Sequence, residues 1–287
     1  MNSVPDQGII DYRLRPPLYS YLETGMWGEG SVRKFSALQG IEPSESALRQ
    51  SFEMMLEEMD ANNITIGVMN GRQCEDYRGE VSNHDLARIV SETNGRFLAI
   101  AGANPFRGEE NVAEAEEYLK NYGFKGISLD PGLYERHILS DDPILDPYYR
   151  LCLEYDLPAV LTIGPTVGAD ISHASAVPVD RLAAKYPDLK VVVSHGCWPY
   201  AQELAGVCAR RPNVYMMPDM YYLGLPGEDA YTKSITSFGA DRFLFATAYP
   251  SRPIGMTVEG FLDLPLTQEQ LQKVMWDNAA RLLRLEG

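Results

Sequence analysis

Histidine is scarce in this chain of 287 residues, with four in all, and cysteine is equally sparse. The four thiols, Cys74, Cys152, Cys197 and Cys208, show no C-x-x-C spacing. That pattern excludes a disulfide framework and points to reduced thiols. Positive charge is outnumbered: 25 Lys and Arg against 40 Asp and Glu give a net charge of −15. So acidic a surface repels nucleic-acid phosphates and anionic membranes, and neither is expected as a partner. No apolar run approaches the ~18 residues of a transmembrane span. The start, MNSVPDQGII, has neither a basic nor an apolar signal region, so a cytoplasmic location is expected. A glycine-rich phosphate loop is also missing, since GVMNGR and AGANPF match the G-x-G-x-x-G pattern poorly. This speaks against an open doubly wound dinucleotide fold. Repeats and low-complexity linkers are absent too, so residues 1–287 read as one domain.

What is present is an alternation. Short apolar or β-branched runs recur at 8–13 (GIIDYR), 64–70, 96–103, 124–129, 158–163, 189–195, 213–217 and 242–247, with helical patterns between them. In ESALRQSFEMMLEEM, for example, Leu48, Phe52, Met55, Leu56 and Met59 fall at helical spacing. Eight strands alternating with eight helices predict parallel pairing closed into a single (β/α)8 TIM barrel. Residues 14–43, rich in Pro, Gly, Tyr and Trp, show no periodic pattern; at the outlet of the first strand they read as a lid.

A barrel of this kind carries its chemistry at the C-terminal strand ends. In order, these ends present Tyr12 to Arg15, Asn70, Asn104, Ser128 with Asp130, Thr162, His195, Asp219, and Ala248 with Tyr249. The segments YPDLKVVVSHGCWPY, DRFLFATAYP, GFKGISL and WDNAARLLRL resemble the amidohydrolase superfamily, in the branch of aminocarboxymuconate-semialdehyde decarboxylase and related hydrolases and decarboxylases. The resemblance implies a metal site made of an H-x-H on strand one, a histidine ending strand five and an aspartate ending strand eight, with a further acid/base histidine ending strand six. Here the metal positions are Tyr12, Leu14, Thr162 and Ala248, and only the strand-six position, His195, matches. A catalytic zinc needs about three imidazole, thiolate or carboxylate donors; leucine and alanine have none. Neither metal nor other cofactor is therefore expected.

His195 is then the candidate general acid or base, unless it is merely a strand-end histidine fixed by hydrogen bonds. Alternation along strand one puts residues 12 and 14 on one side and Arg13 on the other, and the family resemblance implies that 12 and 14 face the barrel interior. Tyr12 is accordingly a candidate acid or hydrogen-bond donor, with a void-filling aromatic as the alternative. Asp219 or Asp130 is a candidate partner or base. Arg15 and Arg252 are candidates to bind a carboxylate, with Asn70, Ser128, Thr162 and Tyr249 completing a substrate site. Arg72 and Arg136 also lie in outlet loops. Cys197 reads as a buried inert thiol rather than a nucleophile. The expected activity is metal-independent hydrolysis of a small carboxylated, lactone-like metabolite; decarboxylation of a similar carboxylate, or a catalytically inactive metabolite-binding barrel, are the alternatives. The resemblance also suggests a homodimer, for which no interface can be read.

Overall fold

The structure, a computed structural model, describes residues 2–74 and 78–285. Seven strands, β1 (Ile9–Asp11), β2 (Ile64–Asn70), β3 (Phe97–Gly102), β4 (Ile127–Leu129), β5 (Ala159–Thr162), β6 (Val191–Ser194) and β7 (Val214–Met217), form one sheet in sequence order with every neighbouring pair parallel. Strands covered on both faces are continuously apolar rather than alternating, and the Val191–Val193 run is fully buried. Two packing layers result. Ile10, Tyr12, Val68, Ile100, Val160, Val192, Met217, Leu244 and Ala246 fill the interior. Their neighbours, among them Ile9, Met69, Phe97, Leu161, Val193 and Met216, pack outward with the helices.

The eighth strand is the departure. Residues 243–247 run alongside β7, with Leu244 N–H donating to Met216 O at 2.9 Å, and Tyr12 N–H donates to Phe245 O at 3.0 Å. Yet this stretch forms no regular strand. At the seam a side chain stands in for the ladder: Asp11 accepts Thr247 N–H at 3.0 Å and Thr247 Oγ–H at 2.5 Å. The architecture is thus α/β with a curled parallel seven-stranded sheet, barrel-like in form.

Two helical readings are also revised. The stretch from Glu45 is not one helix but two, α2 (Glu45–Leu48) and α3 (Phe52–Ala61), because Gln50 turns to φ 51° and Ser51 starts a new cap on Met54 N–H. Residues 14–43 are not structureless: they contain a 3-10 turn at Tyr19–Glu23 and helix α1 (Ser31–Leu38). Among the described residues no helix is long and apolar enough to cross a membrane.

Candidate active site

A cavity opens at the C-terminal ends of the strands, enclosing about 70 Å³ open to the centre of a water molecule. Asn70 from β2, Ser128 from β4 with Asp130 just after it, Thr162 from β5 and His195 after β6 supply its floor, with Arg13 and Arg15 entering from the residues that follow β1. The segment 14–43 covers it through Tyr21, Thr24, Met26 and Phe35.

Arg13 reverses the sequence expectation. In a regular strand the N–H groups of residues i and i+2 point to the same side, but Tyr12 donates toward Phe245 and Leu14 toward Val68 on the opposite neighbour. The chain has slipped by one residue, as at a β-bulge. Asp11 fixes the slip by accepting Arg13 N–H at 3.0 Å. As a result Arg13 turns into the cavity. Leu14 turns outward instead, its Cδ1 lying against the backbone of Gly67.

Tyr12 does face the barrel interior, but below the cavity, among the apolar interior residues. Its hydroxyl is buried without a partner, and burial pushes its proton affinity far up. It is a void-filling aromatic. An unpaired buried hydroxyl costs about 1–3 kcal/mol, so Tyr12→Phe should raise the melting temperature by about 2–4 °C, corresponding to about 1 kcal/mol, and leave turnover unchanged; thermal unfolding and a rate assay together check this.

His195 and Asp219 form the best-defined contact in the site. Nδ1 of His195 lies 2.8 Å from Asp219 Oδ1. The carboxylate also accepts from Ser194 Oγ–H at 3.2 Å and from Met220 N–H at 2.5 Å, and its Oδ2 lies 3.6 Å from Arg13 Nε. Both residues take left-handed backbone conformations, φ 65° at His195 and 43° at Asp219, and Gly196 and Cys197 continue the turn at 59° and 57°. Such conformations cost of order 1–3 kcal/mol each away from glycine and collect at functional sites. Gly164 makes room for the turn, since a side chain there would meet His195 Cβ at 2.7 Å. Burial pushes the His195 pKa down to about 4, with Arg13 and Arg15 acting in the same direction and Asp219 against it. For Asp219, burial works against ionisation, but His195 and the charges of Arg13 and Arg15 outweigh it and hold the carboxyl below its usual range. The resting pair is therefore a neutral imidazole donating Nδ1–H to a carboxylate, with Nε2 left for the cavity.

Around this pair the site is cationic and under-satisfied. Among the described residues Arg13, Arg15, Arg72 and Arg78 all line the cavity, against a single lining carboxylate, Asp130. Arg15 donates to Ala248 O at 2.9 Å. Burial, then the neighbouring Arg13 and Arg72, lowers its pKa to about 9, which still leaves it charged at neutral pH. Arg13 Nε and Nη1, both carboxylate oxygens of Asp130 and both amide heteroatoms of Asn70 are shielded from solvent without a hydrogen-bond partner among the described residues. Arg72 Nε stands 3.6 Å from Asp130. Opposed donors and acceptors left open in one cavity are what a polar ligand would complete.

Tyr249 and Arg252, singled out from sequence as substrate-binding, are not brought to the cavity either. Tyr249 is core: its ring meets Trp27 edge-on at 5.9 Å and its hydroxyl bonds Ser46 Oγ at 3.0 Å. Arg252 donates to Gln39 Oε1 at 3.0 Å and Leu223 O at 3.1 Å. Both pin the cover segment to the outlet of residues 243–247. Arg136 lies over the Phe106 ring instead of the cavity, and Cys197 is buried with its thiol pKa pushed well up by that burial. Tyr21 and Tyr221 line the cavity from short 3-10 turns and Arg78 from a loop, where sequence carries no periodic signal to find them.

An amidohydrolase family model matches residues 10–285. The chain belongs to the amidohydrolase family. A gamma-resorcylate decarboxylase from Polaromonas sp. is 24% identical over 246 residues, 71% of this chain and 75% of that protein. Among solved structures, an uncharacterized TIM-barrel protein from Bordetella bronchiseptica superposes with a TM-score of 0.89 at 38% identity, over 96% of this chain and 98% of the other. A dihydroxybenzoic acid decarboxylase from Polaromonas sp. with bound manganese shares the fold, with a TM-score of 0.69 at 17% identity over 98% of each chain.

This amidohydrolase does not offer a fit for such a metal. Among the described residues there is no group of three or more His, Cys, Asp or Glu that could hold one. At the metal positions implied by the family resemblance, Leu14 points outward, Ala248 has no donor and the Tyr12 phenol is held protonated in the apolar interior. A dication bound to Asp219 would also meet the Arg13 charge, an opposition of several kcal/mol at contact range.

Proposed function

We propose that this amidohydrolase is a carboxy-lyase that removes CO2 from a small hydroxylated aryl carboxylate, using arginines and His195 rather than a metal. The observation that carries the reading is the cavity itself, which combines a cationic wall, the Asp130 carboxylate beside Arg72 and one imidazole backed by Asp219. Decarboxylase relatives support the lyase over the hydrolase expected from sequence. The open, polar cavity weighs against an inactive barrel, which would have filled it.

In this scheme Arg13 and Arg15 bind the substrate carboxylate and Asp130 accepts from a ring hydroxyl. Burial and the two arginines hold His195 neutral at rest. The bound anion offsets the arginine charges, so His195 takes up a proton from solvent as substrate binds. Nε2–H then delivers that proton to the ring carbon bearing the carboxylate. The C–C bond breaks, its electron pair returns to the ring, CO2 leaves, and His195 is neutral again. Lactone hydrolysis is the second reading, favoured by the neutral resting imidazole, which suits a base that activates water.

The direct test offers the purified protein a panel of mono- and dihydroxybenzoates and, separately, aryl lactones, with CO2 and ring-opened acids measured. Release of CO2 with the matching phenol is expected; lactone opening with no CO2 from any acid would overturn the lyase. The pH profile separates the two as well. Since the free-enzyme pKa is about 4, a required imidazolium makes kcat/KM fall about tenfold per pH unit above roughly pH 5. A required neutral base makes it rise through that pKa and stay level above it.

A further inference from the structure

The slip in β1 delivers a charge to the place where the family's implied ligands have gone. Had strand alternation continued, Arg13 would point into the helical shell and Leu14 inward. Instead Asp11 accepts Arg13 N–H, and the Arg13 guanidinium stands 3.6 Å from Asp219, with Nε and Nη1 making no hydrogen bond among the described residues. Asp219 also bonds His195. One carboxylate thus holds both the cation and the imidazole, while no set of three metal donors exists among the described residues.

We propose that Arg13 is the resident cation of this site, standing in for the metal of metal-dependent members and binding the anionic group of the substrate. The inference rests on the substrate being the hydroxyaryl carboxylate proposed above. A guanidinium suits the task because its planar fork matches a carboxylate; burial lowers the Arg13 pKa, with the charges of Asp219 and Asp130 acting against that shift. Unlike a metal it cannot generate hydroxide from bound water, so it leaves the proton chemistry to His195.

The test measures binding, not turnover. 2-Hydroxybenzoate and resorcinol, which lacks the carboxylate, are titrated calorimetrically into full-length protein before and after dialysis against a chelator, with bound metal determined by elemental analysis. Expected are substoichiometric metal, affinities unchanged by chelation, and for Arg13→Met at least about tenfold weaker 2-hydroxybenzoate binding with resorcinol affected less than about twofold. Arg13→Gln, which retains donors and loses only the charge, should show the same selectivity and covers the case where the methionine variant does not fold. Guanidinium chloride at low millimolar concentration should restore part of the lost affinity. Stoichiometric metal whose removal abolishes binding would overturn the proposal. So would equal weakening of both ligands, or no detectable binding of 2-hydroxybenzoate. A protein that binds 2-hydroxybenzoate through Arg13 but releases no CO2 would overturn the proposed function and leave this assignment standing.

Discussion

Replacing His195 with asparagine is expected to lower decarboxylation about 10²- to 10⁴-fold, the range for losing a positioned proton donor, while leaving the fold and substrate affinity close to wild type. The asparagine amide fits the same volume and can donate to Asp219 as Nδ1–H does at 2.8 Å, so the Asp219 carboxylate and Arg13 keep their partners. What disappears is the one imidazole among the described residues lining the cavity, the group that takes up the proton and passes it on in the proposed scheme. The kcat, the substrate Kd and the thermal unfolding midpoint check the three parts separately. A folded variant with full turnover would remove His195 from the chemistry. Calorimetry in buffers of different ionisation enthalpy adds a second readout: wild type should take up close to one proton with the anion, and the variant none.

That His195 and Asp219 could be picked from sequence, whereas Arg13 could not, has a physical reason. Parallel strands buried on both faces write themselves as apolar runs, so β2 to β7 were visible, and the residues ending β6 and following β7 could be placed at the mouth of the barrel. Such runs carry no mark of a one-residue slip. Period-2 alternation together with the family resemblance put Tyr12 and Leu14 inside and Arg13 outside; only the opposed hydrogen bonds of Tyr12 and Leu14, fixed by Asp11, reveal the reversal. The missing eighth strand has the same origin, since RFLFAT reads as a strand but its seam is made by Asp11 and Thr247 side chains. Tyr249 and Arg252 follow residues 243–247 as expected, yet their partners are Ser46 in α2 and Gln39 in the cover segment, contacts between residues some 200 apart that no local pattern encodes.

The strongest structural consequence is expected at Asp219. Its carboxylate is fully buried between His195 and Arg13, so Asp219→Ala leaves a buried guanidinium uncompensated, a loss of about 3–5 kcal/mol for breaking a buried pair from one side. The unfolding midpoint should fall by roughly 6–20 °C at the conversion usual for chains of this size. Asp219→Asn preserves shape and should cost less stability, yet it removes the charge that favours protonated His195 and that fixes Nδ1–H, so turnover falls with it. The decisive comparison is the double variant. If the penalty comes from the stranded Arg13 charge, Asp219→Ala combined with Arg13→Met should be more stable than Asp219→Ala alone, a non-additivity of about 1–3 kcal/mol between contacting residues. Simple addition of the two single losses would mean that Arg13 and Asp219 are neighbours without being a pair, and the cation of this site would have to be sought among Arg15 and Arg72.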